Sequence, residues 1–194
     1  MNFRLATPAD SEALLKIYAQ YIDSSITFEY KLPSNHEFAE RIKDITSVYP
    51  YVLCEFDGAI VGYAYAHRHL QRQAYQWNAE LSVYIDKNHH SKGVGKGLCR
   101  AVIELLRLQG VKTLYSLITQ PNPSSERLHR ALGFVCIGTY HNTGYKNGRW
   151  RDVSIYEKAL GEYNLNPKPI TAITQLDKTL VDRVLTKFCP NKMG

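Results

Sequence analysis

Three glycines, Gly93, Gly95 and Gly97, lie beside Lys92 and Lys96 between a predicted strand and a predicted helix. The first backbone N–H groups of a helix have no intrahelical partner and carry the positive end of the helix dipole. Glycine lets an anion approach these groups closely because it has no Cβ atom, and the lysines add positive charge. The spacing indicates a phosphate-binding turn, whereas a glycine-rich turn without a ligand explains the glycines alone equally well.

Two common phosphate-binding loops do not fit this stretch. A Walker A loop needs Gly-x-x-x-x-Gly-Lys-Ser/Thr, and that spacing does not occur here. A dinucleotide fingerprint needs Gly-x-Gly-x-x-Gly, whereas Gly97 follows Gly95 one residue too early. The turn therefore requires another explanation.

The elements on either side of the glycines follow from apolar spacing. Leu81, Val83 and Ile85 alternate with more polar residues, which predicts a strand with one well-buried face. After the turn, apolar residues recur at helical spacing up to a predicted C-cap at Gly110: Val94, Leu98, Val102, Leu105 and Leu106.

The rest of the chain predicts short strands and helices in the order β-α-α-β-β-β-α-β-α-β-β, a mixed α/β (α+β) fold with mostly antiparallel strands. Hairpin turns are predicted at Asp57-Gly58 and Asn147-Gly148. Asn122 and Pro123 are predicted to be the N-cap and a first-turn residue of the helix that leads to Gly133. The last two strands are predicted at residues 134–140 and 149–158. We expect one domain over residues 1–160 and a C-terminal extension over residues 161–194, with a linker and a short amphipathic helix at residues 173–188.

Composition narrows the class of protein. The chain has 194 residues, of which 44% are hydrophobic and 22% are charged, as in globular proteins. It has no run of 18 apolar residues and no apolar region typical of a secretory signal, so a cytoplasmic location without membrane contact is expected. The four cysteines have no metal-ligand spacing and are expected to be reduced, and no metal site is predicted. The net charge of +6 is scattered, so it fits an anionic small molecule as well as nucleic acid.

The stretch His90-Ser91-Lys92-Gly93-Val94-Gly95 resembles the Gln/Arg-x-x-Gly-x-Gly/Ala signature of the GCN5-related N-acetyltransferase (GNAT) superfamily. His90 departs from the signature, which has Gln or Arg at that position. The predicted element order is similar to the fold of that superfamily. Residues 74–85, 122–134 and 145–153 resemble its phosphinothricin N-acetyltransferase-like branch, and the resemblance covers residues 2–160.

The resemblance implies that acetyl-CoA binds in a cleft between the fourth and fifth strands. Backbone groups of Val83, Tyr84 and Ile85 would bind the pantetheine arm, and core packing of the side chains is compatible with that role. Asn122 would bind the cofactor near its thiol end. The pyrophosphate would lie on the glycine turn, against Ser91, Lys92, Gly93, Val94, Gly95 and Lys96.

Acetyl transfer needs a neutral amine, because an ammonium group has no lone pair. Glu80, at the head of the central strand, is the candidate general base, acting through a water molecule, or the amine anchor. A salt-bridged glutamate at a strand edge is the alternative. His129 occupies the position where many relatives have a tyrosine as general acid. A structural histidine is the alternative, with the thiolate leaving through the help of the helix dipole and Asn122.

The branch resemblance implies a small amino-acid-like acceptor of the phosphinothricin, methionine sulfoximine or methionine sulfone type, and a homodimer. Such an acceptor is anionic, and residues that could bind it are Phe28, Glu29, Arg72, Gln73, Tyr75, His141, Tyr145 and Lys146. A protein N-terminus or a polyamine as acceptor remains an alternative, as does a non-catalytic acyl-CoA-binding module. Nucleic-acid binding is a weaker alternative that a steep salt dependence would reveal.

Overall fold

A computed structural model describes residues 1–190 of the chain. The strands in that range are β1 (Asn2–Leu5), β2 (Tyr51–Phe56), β3 (Ala59–Arg68), β4 (Asn78–Ile85), β5 (Thr113–Thr119), β6 (Val135–Lys146) and β7 (Arg149–Ala159). The α-helices in the same range are α1 (Ser11–Ala19), α2 (Asn35–Thr46), α3 (Val94–Gln109), α4 (Pro123–Ala131) and α5 (Lys178–Phe188). The element order through β7 is the predicted one, and the predicted fold class is confirmed.

The strands form one sheet in the order β1-β2-β3-β4-β5-β7-β6. Neighbouring strands are antiparallel except β4 and β5, which run parallel and pair only from Asn78 with Thr113 to Glu80 with Tyr115. Beyond Glu80 the two strands diverge, although β4 continues to Ile85 and pairs with β3 from Ala79 to Ile85. The predicted gap between the fourth and fifth strands is therefore present.

Each face of the sheet has its own core. Helices α3 and α5 cover one face, where Ala79 and Leu81 are buried. Helices α1 and α2 cover the other face, where Tyr84 packs against a cluster of buried tyrosines. Because side chains alternate along a strand, Glu80 and Ser82 lie on the α1/α2 face together with Tyr84.

The turn predictions from residue type are confirmed. Asp57 and Gly58 have φ angles of 49° and 78°, and Asn147 and Gly148 have φ angles of 54° and 73°. Two successive positive φ angles are the conformation that joins hairpin strands with a matching twist. Gly110 ends α3 at φ 87°, as its position in the sequence predicts.

Two predicted boundaries were wrong. Residues 141–146, predicted to be a loop, continue β6, because Gly144, Tyr145 and Lys146 pair with β7 across the Asn147-Gly148 turn. The last helix begins at Lys178 because the Asp177 carboxylate accepts a hydrogen bond from the Leu180 amide at 3.1 Å and caps it there. Residues 173–175 form only a 3-10 turn.

The segment of residues 173–188 packs on the sheet. Ile173, Val181 and Leu185 are buried in the core that α3 and β1 share with α5. Within residues 1–190 there is no helix with the length and apolar character needed to cross a bilayer.

Candidate functional site

The gap between β4 and β5 opens into a cleft of ≈ 420 Å³. The N-termini of α3 and α4 form two of its walls, and Tyr21 and Ile26 contribute to a third. Most of the predicted cofactor-binding residues line it: Val83, Ile85, Ser91, Gly93, Val94, Gly95, Lys96 and Asn122. The structure therefore gathers residues from three separate parts of the sequence around one cleft.

The wall formed by α3 presents free backbone amides. Gly93 precedes the helix at φ 79° and has no side chain to cap it, and the first helical hydrogen bond runs from the Gly97 amide to the Gly93 carbonyl at 3.0 Å. The amides of Val94, Gly95 and Lys96 therefore have no intrahelical partner. A Cβ atom on Gly93 would meet nothing within 4 Å, so the mouth of the helix is open to a ligand. This geometry suits an anionic diphosphate.

The opposite wall is the first turn of α4. The Asn122 side chain accepts a hydrogen bond from the Ser125 amide at 3.2 Å, which confirms its predicted role as N-cap. Ser124, Ser125 and Arg127 line the same wall. Sequence analysis missed these three residues, although their position just after a predicted N-cap was a signal for them. Two helix N-termini with Lys96 and Arg127 make the cleft electropositive.

The His90 ring faces the turn that follows α1. Its Nε2 atom lies 2.8 Å from the Tyr21 hydroxyl and 3.1 Å from the Ile85 carbonyl oxygen. The Tyr21 hydroxyl also donates to that carbonyl. The carbonyl group of Ile85, predicted to bind the pantetheine arm, is therefore already paired, which corrects that part of the prediction. His90 instead connects the glycine turn to Tyr21, in the turn that follows α1.

Two predicted cofactor-binding residues do not line the cleft with their side chains. The Tyr84 ring lies on the α1/α2 face, with its centre 5.1 Å from that of Tyr18 and 5.6 Å from that of Tyr21. The Asp86 amide donates to the carbonyl of Val61, so in the same register the N–H and C=O groups of Tyr84 pair with Tyr63 of β3. They do not face the gap, which corrects the prediction for Tyr84. Lys92 is exposed at the turn and is not part of the cleft wall.

Glu80 lies at the point where β4 and β5 separate, in the last residue pair that joins them. Its side chain is 17% exposed. One carboxylate oxygen is 3.1 Å from Nδ1 of His69, and the other is 3.8 Å from Nε2 of His67. Sequence analysis missed both histidines. His67 could have been found from the pairing of β3 with β4, which places it directly opposite Glu80.

His129 is a buried residue of α4, with 3% of its surface exposed. Its Nε2 atom is 2.8 Å from the Ser116 hydroxyl, and its Nδ1 atom is 2.8 Å from the Ser125 carbonyl oxygen. Burial lowers the pKa of the imidazole. The ring is buried and both of its nitrogens are paired with protein groups, so it does not fit the predicted role as a direct proton donor to the leaving thiolate. It supports the Ser125 wall from behind.

We expect the His129 imidazole to titrate at a lower pH than an exposed histidine. A lowered pKa in the folded protein means that the unfolded chain binds the extra proton first, so protonation below pH ~6.5 works against folding. A histidine-selective NMR titration measures this, and a His129→Gln spectrum identifies the resonances by their loss. A His129 resonance that titrates above pH ~6.5 would contradict the expectation.

The loop between α1 and α2 packs on the last hairpin, which brings four predicted acceptor-binding residues together. The Phe28 ring contacts Gly144, and the Tyr30 hydroxyl donates to the Tyr145 carbonyl. Glu29 forms an ion pair with Arg41 at 2.6 Å and accepts a hydrogen bond from the Tyr18 hydroxyl at 2.9 Å. Tyr145 remains half exposed, against the Trp150 ring.

Lys146 has a different role from the predicted one. Only 3% of its surface is exposed, and its ammonium group donates to the carbonyl oxygens of Ile22 and Thr27 at 2.6 Å and of Glu29 at 2.8 Å. All three ammonium hydrogens are used on the loop backbone, so none is left for a substrate. Lys146 holds the loop that carries Ile26 into the cleft wall.

Replacing Lys146 with methionine should loosen this loop. The variant leaves three carbonyl groups without a donor, and we expect the free energy of unfolding to fall by about 2 to 3 kcal/mol. Urea denaturation measures the loss, and limited proteolysis should cut within residues 23–33. Lys16→Met is the control, since Lys16 forms an exposed ion pair with Glu12 and its loss should change stability much less than the loss of Lys146. Equal stability of the two variants would contradict the conclusion that Lys146 holds this loop in place.

The other predicted acceptor-binding residues lie elsewhere. Arg72, Gln73 and Tyr75 belong to an exposed 3-10 turn between β3 and β4. His141 is exposed and pairs with Asp152 at 3.1 Å across the last hairpin. Among the described contacts, none joins these four residues to Phe28 or Glu29. The structure thus divides the predicted set into one assembled group and two separate ones.

Comparison with known proteins gives consistent matches. Residues 3–155 match the family model for the acetyltransferase (GNAT) domain. The phosphinothricin N-acetyltransferase of Streptomyces viridochromogenes is 33% identical over 177 residues, which cover 91% of this chain and 96% of that protein. The L-methionine sulfoximine/L-methionine sulfone acetyltransferase of Salmonella typhimurium is 28% identical over 84% of this chain and 96% of that protein.

A solved structure with the same fold was obtained with acetyl-CoA. It is the crystal structure of a GNAT superfamily phosphinothricin acetyltransferase from Sinorhizobium meliloti in complex with AcCoA, and its TM-score to this chain is 0.81. The two chains are 36% identical, and the match covers 86% of this chain and 91% of the other. The open amides of α3 and the electropositive cleft fit such a ligand.

Proposed function

Because this chain belongs to the GNAT family of acetyl-CoA-dependent N-acetyltransferases, we propose that it acetylates the amino group of a small amino-acid-like acceptor of the phosphinothricin, methionine sulfoximine or methionine sulfone type. The names of its relatives support this acceptor class. The observation that carries the proposal is the single cleft in which the free amides of α3 meet the gap between β4 and β5, with Glu80 where the gap begins.

Different walls of the cleft bind different parts of acetyl-CoA. The first-turn amides of Val94, Gly95 and Lys96 hold the diphosphate of acetyl-CoA, as helix N-termini do. Backbone groups of Val83 and the Asn122 side chain face the pantetheine arm. Serine hydroxyls and Arg127 on the α4 side supply further donors. When bound, the cofactor supplies the activated acetyl group.

Glu80 acts on the acceptor amine, either as the general base that removes its proton through a water molecule or as the anchor that binds its ammonium group. The acceptor enters as an ammonium ion and leaves as an amide, so two protons depart: one goes to the sulfur of the leaving CoA and one goes to solvent. General acid–base assistance of this kind contributes about 10²- to 10⁴-fold to rate. His129 acts only indirectly, through Ser125.

The acceptor site lies on the α1/α2 side of the sheet. Phe28, Glu29 and Tyr145 are the residues of the assembled group that remain as acceptor contacts, since Lys146 is used on the loop. Arg72, Gln73, Tyr75 and His141 stay predictions for binding the acidic groups of the acceptor. A polyamine or a protein N-terminus is a weaker alternative, because the cleft is electropositive and a polycation would be repelled. A non-catalytic module is not favoured, since Glu80 and the open amides are both present.

The enzyme is also proposed to be a homodimer, with β6 and β7 in the interface. Strand β6 is an edge of the sheet, and this hairpin exposes a group of large apolar side chains: Val135, Ile137, Tyr140, Tyr145 and Trp150. Such patches mark association surfaces. Sedimentation equilibrium tests the dimer, which Ile137→Lys should convert to monomer. The cytoplasmic location and the absence of nucleic-acid binding stay predictions.

The proposed activity is tested by release of free thiol from acetyl-CoA. Phosphinothricin and methionine sulfoximine should each give turnover that depends on acceptor concentration, whereas spermidine and an N-terminal peptide should not. Mass spectrometry of the product should show one added acetyl group on the α-amino nitrogen. If no small amino-acid acceptor gave turnover but a polyamine or a peptide did, the proposed acceptor class would be wrong and one of the alternative acceptors would replace it.

A further inference from the structure

We propose that His69 is the general base of the reaction and that Glu80 is the carboxylate that orients it. This inference rests on the proposed function and adds to it the atom that receives the amine proton. It follows from the contacts of His69 with Glu80 and Tyr115 and from the place of these residues in the sheet.

The protonation of the His69 ring follows from its partner. Nδ1 lies 3.1 Å from a carboxylate oxygen of Glu80, and an ionised carboxylate can only accept a hydrogen bond. Nδ1 therefore carries the hydrogen, and in the neutral ring Nε2 keeps a free lone pair. This is the arrangement in which a carboxylate fixes the tautomer of a histidine and stabilises its protonated form.

The lone pair on Nε2 is available to a ligand. Within residues 1–190, Nε2 of His69 has no hydrogen-bond partner, and it does not belong to the buried polar atoms that lack one. It therefore borders open space, although the side chain as a whole is only 13% exposed. The ring is held in place by stacking on Tyr115, with ring centres 4.4 Å apart and planes inclined by 20°.

The position of His69 and Glu80 in the sheet fits the reaction. Glu80 and Tyr115 form the last residue pair before β4 and β5 diverge, so the His69 ring lies at the closed end of the gap. Val83, which lines the cleft, is three residues further along β4, roughly 10 Å away. An acetyl-CoA whose diphosphate lies on α3 would extend its thioester toward this end of the gap.

The proton transfers balance with His69 as base. Nε2 takes one proton from the acceptor ammonium, which frees the nitrogen lone pair to form the new C–N bond with the acetyl carbonyl carbon. The C–S bond then breaks, the sulfur takes the second amine proton, and His69 returns its proton to solvent. Imidazole is a stronger base than a carboxylate in water, so this assignment removes the need to make Glu80 a strong base.

His67 does not fit the same role and provides a matched control. Its Nε2 atom is 3.8 Å from Glu80, too far for a hydrogen bond, and its side chain is 35% exposed. Its Nδ1 atom is 3.0 Å from the carbonyl oxygen of Arg68. His67 therefore tests whether any histidine beside Glu80 produces the effect.

Substitution of His69 by asparagine separates the two possible roles of the ring. The asparagine amide could still donate a hydrogen bond to Glu80 from the place of Nδ1, but it has no base in the place of Nε2. We expect His69→Asn to lower kcat by about 100-fold, with KM for acetyl-CoA changed less than about twofold. His67→Asn should stay within about threefold of the wild type. Activity of His69→Asn within threefold of the wild type would overturn the assignment.

The wild-type protein provides a second measurement that needs no variant. The ¹⁵N shifts of His69 at pH 8 should show hydrogen on Nδ1 and none on Nε2, and an Nε2–H tautomer would overturn the assignment. The thiol-release assay of the wild type separates this inference from the proposed function. An inactive wild type would refute the proposed acetyltransferase activity. An active wild type together with a fully active His69→Asn would refute only the assignment of His69 as general base.

Discussion

Glu80→Gln should lower kcat for acetyl transfer by about 10²- to 10³-fold while KM for acetyl-CoA stays within about twofold of the wild type. Glutamine has nearly the shape of glutamate but cannot accept a proton or stabilise a protonated histidine. Val83, a proposed contact of the cofactor, lies roughly 10 Å from Glu80 along β4, and the diphosphate is proposed to lie on α3, so cofactor binding should not change. Steady-state thiol release with saturating acceptor measures both constants.

The control for this variant is Glu104→Gln. Glu104 pairs with Arg107 on α3 at 3.1 Å, away from the cleft, and its loss should leave kcat unchanged within about twofold. A Glu80→Gln enzyme with wild-type kcat would show that the carboxylate is structural. A loss confined to KM for the acceptor would instead identify Glu80 as an amine anchor, which is the other role considered for it.

The double variant of Glu80 and His69 tests whether the two residues act as one unit. If His69 is the base and Glu80 orients it, removing both should cost little more than removing either one, because each single change already disables the pair. If Glu80 instead acts through water and His69 has no role, the double variant should have the same kcat as Glu80→Gln. His69→Asn alone should then have nearly the kcat of the wild type. Multiplicative losses would mean two independent contributions.

The features that could be predicted from the sequence are those set by residues adjacent in the chain. The glycine turn, the strand leading into it and the Asn122 cap are set by neighbouring residues, and the structure places them as predicted. The two hairpin turns follow from Asp-Gly and Asn-Gly for the same reason. Element order was then enough to bring the walls of the cleft together.

Long-range contacts were beyond the reach of the sequence. Lys146 was predicted to be a cation available to a substrate, yet its partners are loop carbonyls more than 100 residues away in the chain. His69 follows β3 as part of a polar connection, and its contact with Glu80 forms only when β3 and β4 pair. In both cases the residue type was visible and the partner that decides its chemistry was not.

The same reasoning applies to His129, whose role as general acid was predicted from its position in the family pattern, with a structural histidine as the alternative. A polar residue near the end of an amphipathic helix resembles a surface residue in the sequence, and helical spacing alone does not show which polar residue faces the core. In the structure, Ser116 on β5 and Ser125 on α4 provide hydrogen-bond partners that allow the ring to be buried. Buried polar residues are recognisable only when both of their partners are known.

Gly93→Val should weaken acetyl-CoA binding by about tenfold or more. A valine at φ 79° is strained by about 1 to 2 kcal/mol, and relief of that strain must move the residues whose amides form the anion site. The new side chain also projects into the open mouth of α3, where the diphosphate is proposed to lie. Isothermal titration calorimetry with acetyl-CoA measures the change in Kd.

Gly58→Val is the matched control for this effect. Gly58 has φ 78°, and a Cβ atom there would also meet nothing within 4 Å, but it lies in the β2–β3 hairpin turn and not in the cleft. Both variants should therefore lose similar stability in urea denaturation, since the backbone strain is the same. Only Gly93→Val should lose affinity for acetyl-CoA. If both variants bound acetyl-CoA as tightly as the wild type, the free amides of α3 would not be the site of the diphosphate, because a displaced helix mouth could not then leave its binding unchanged.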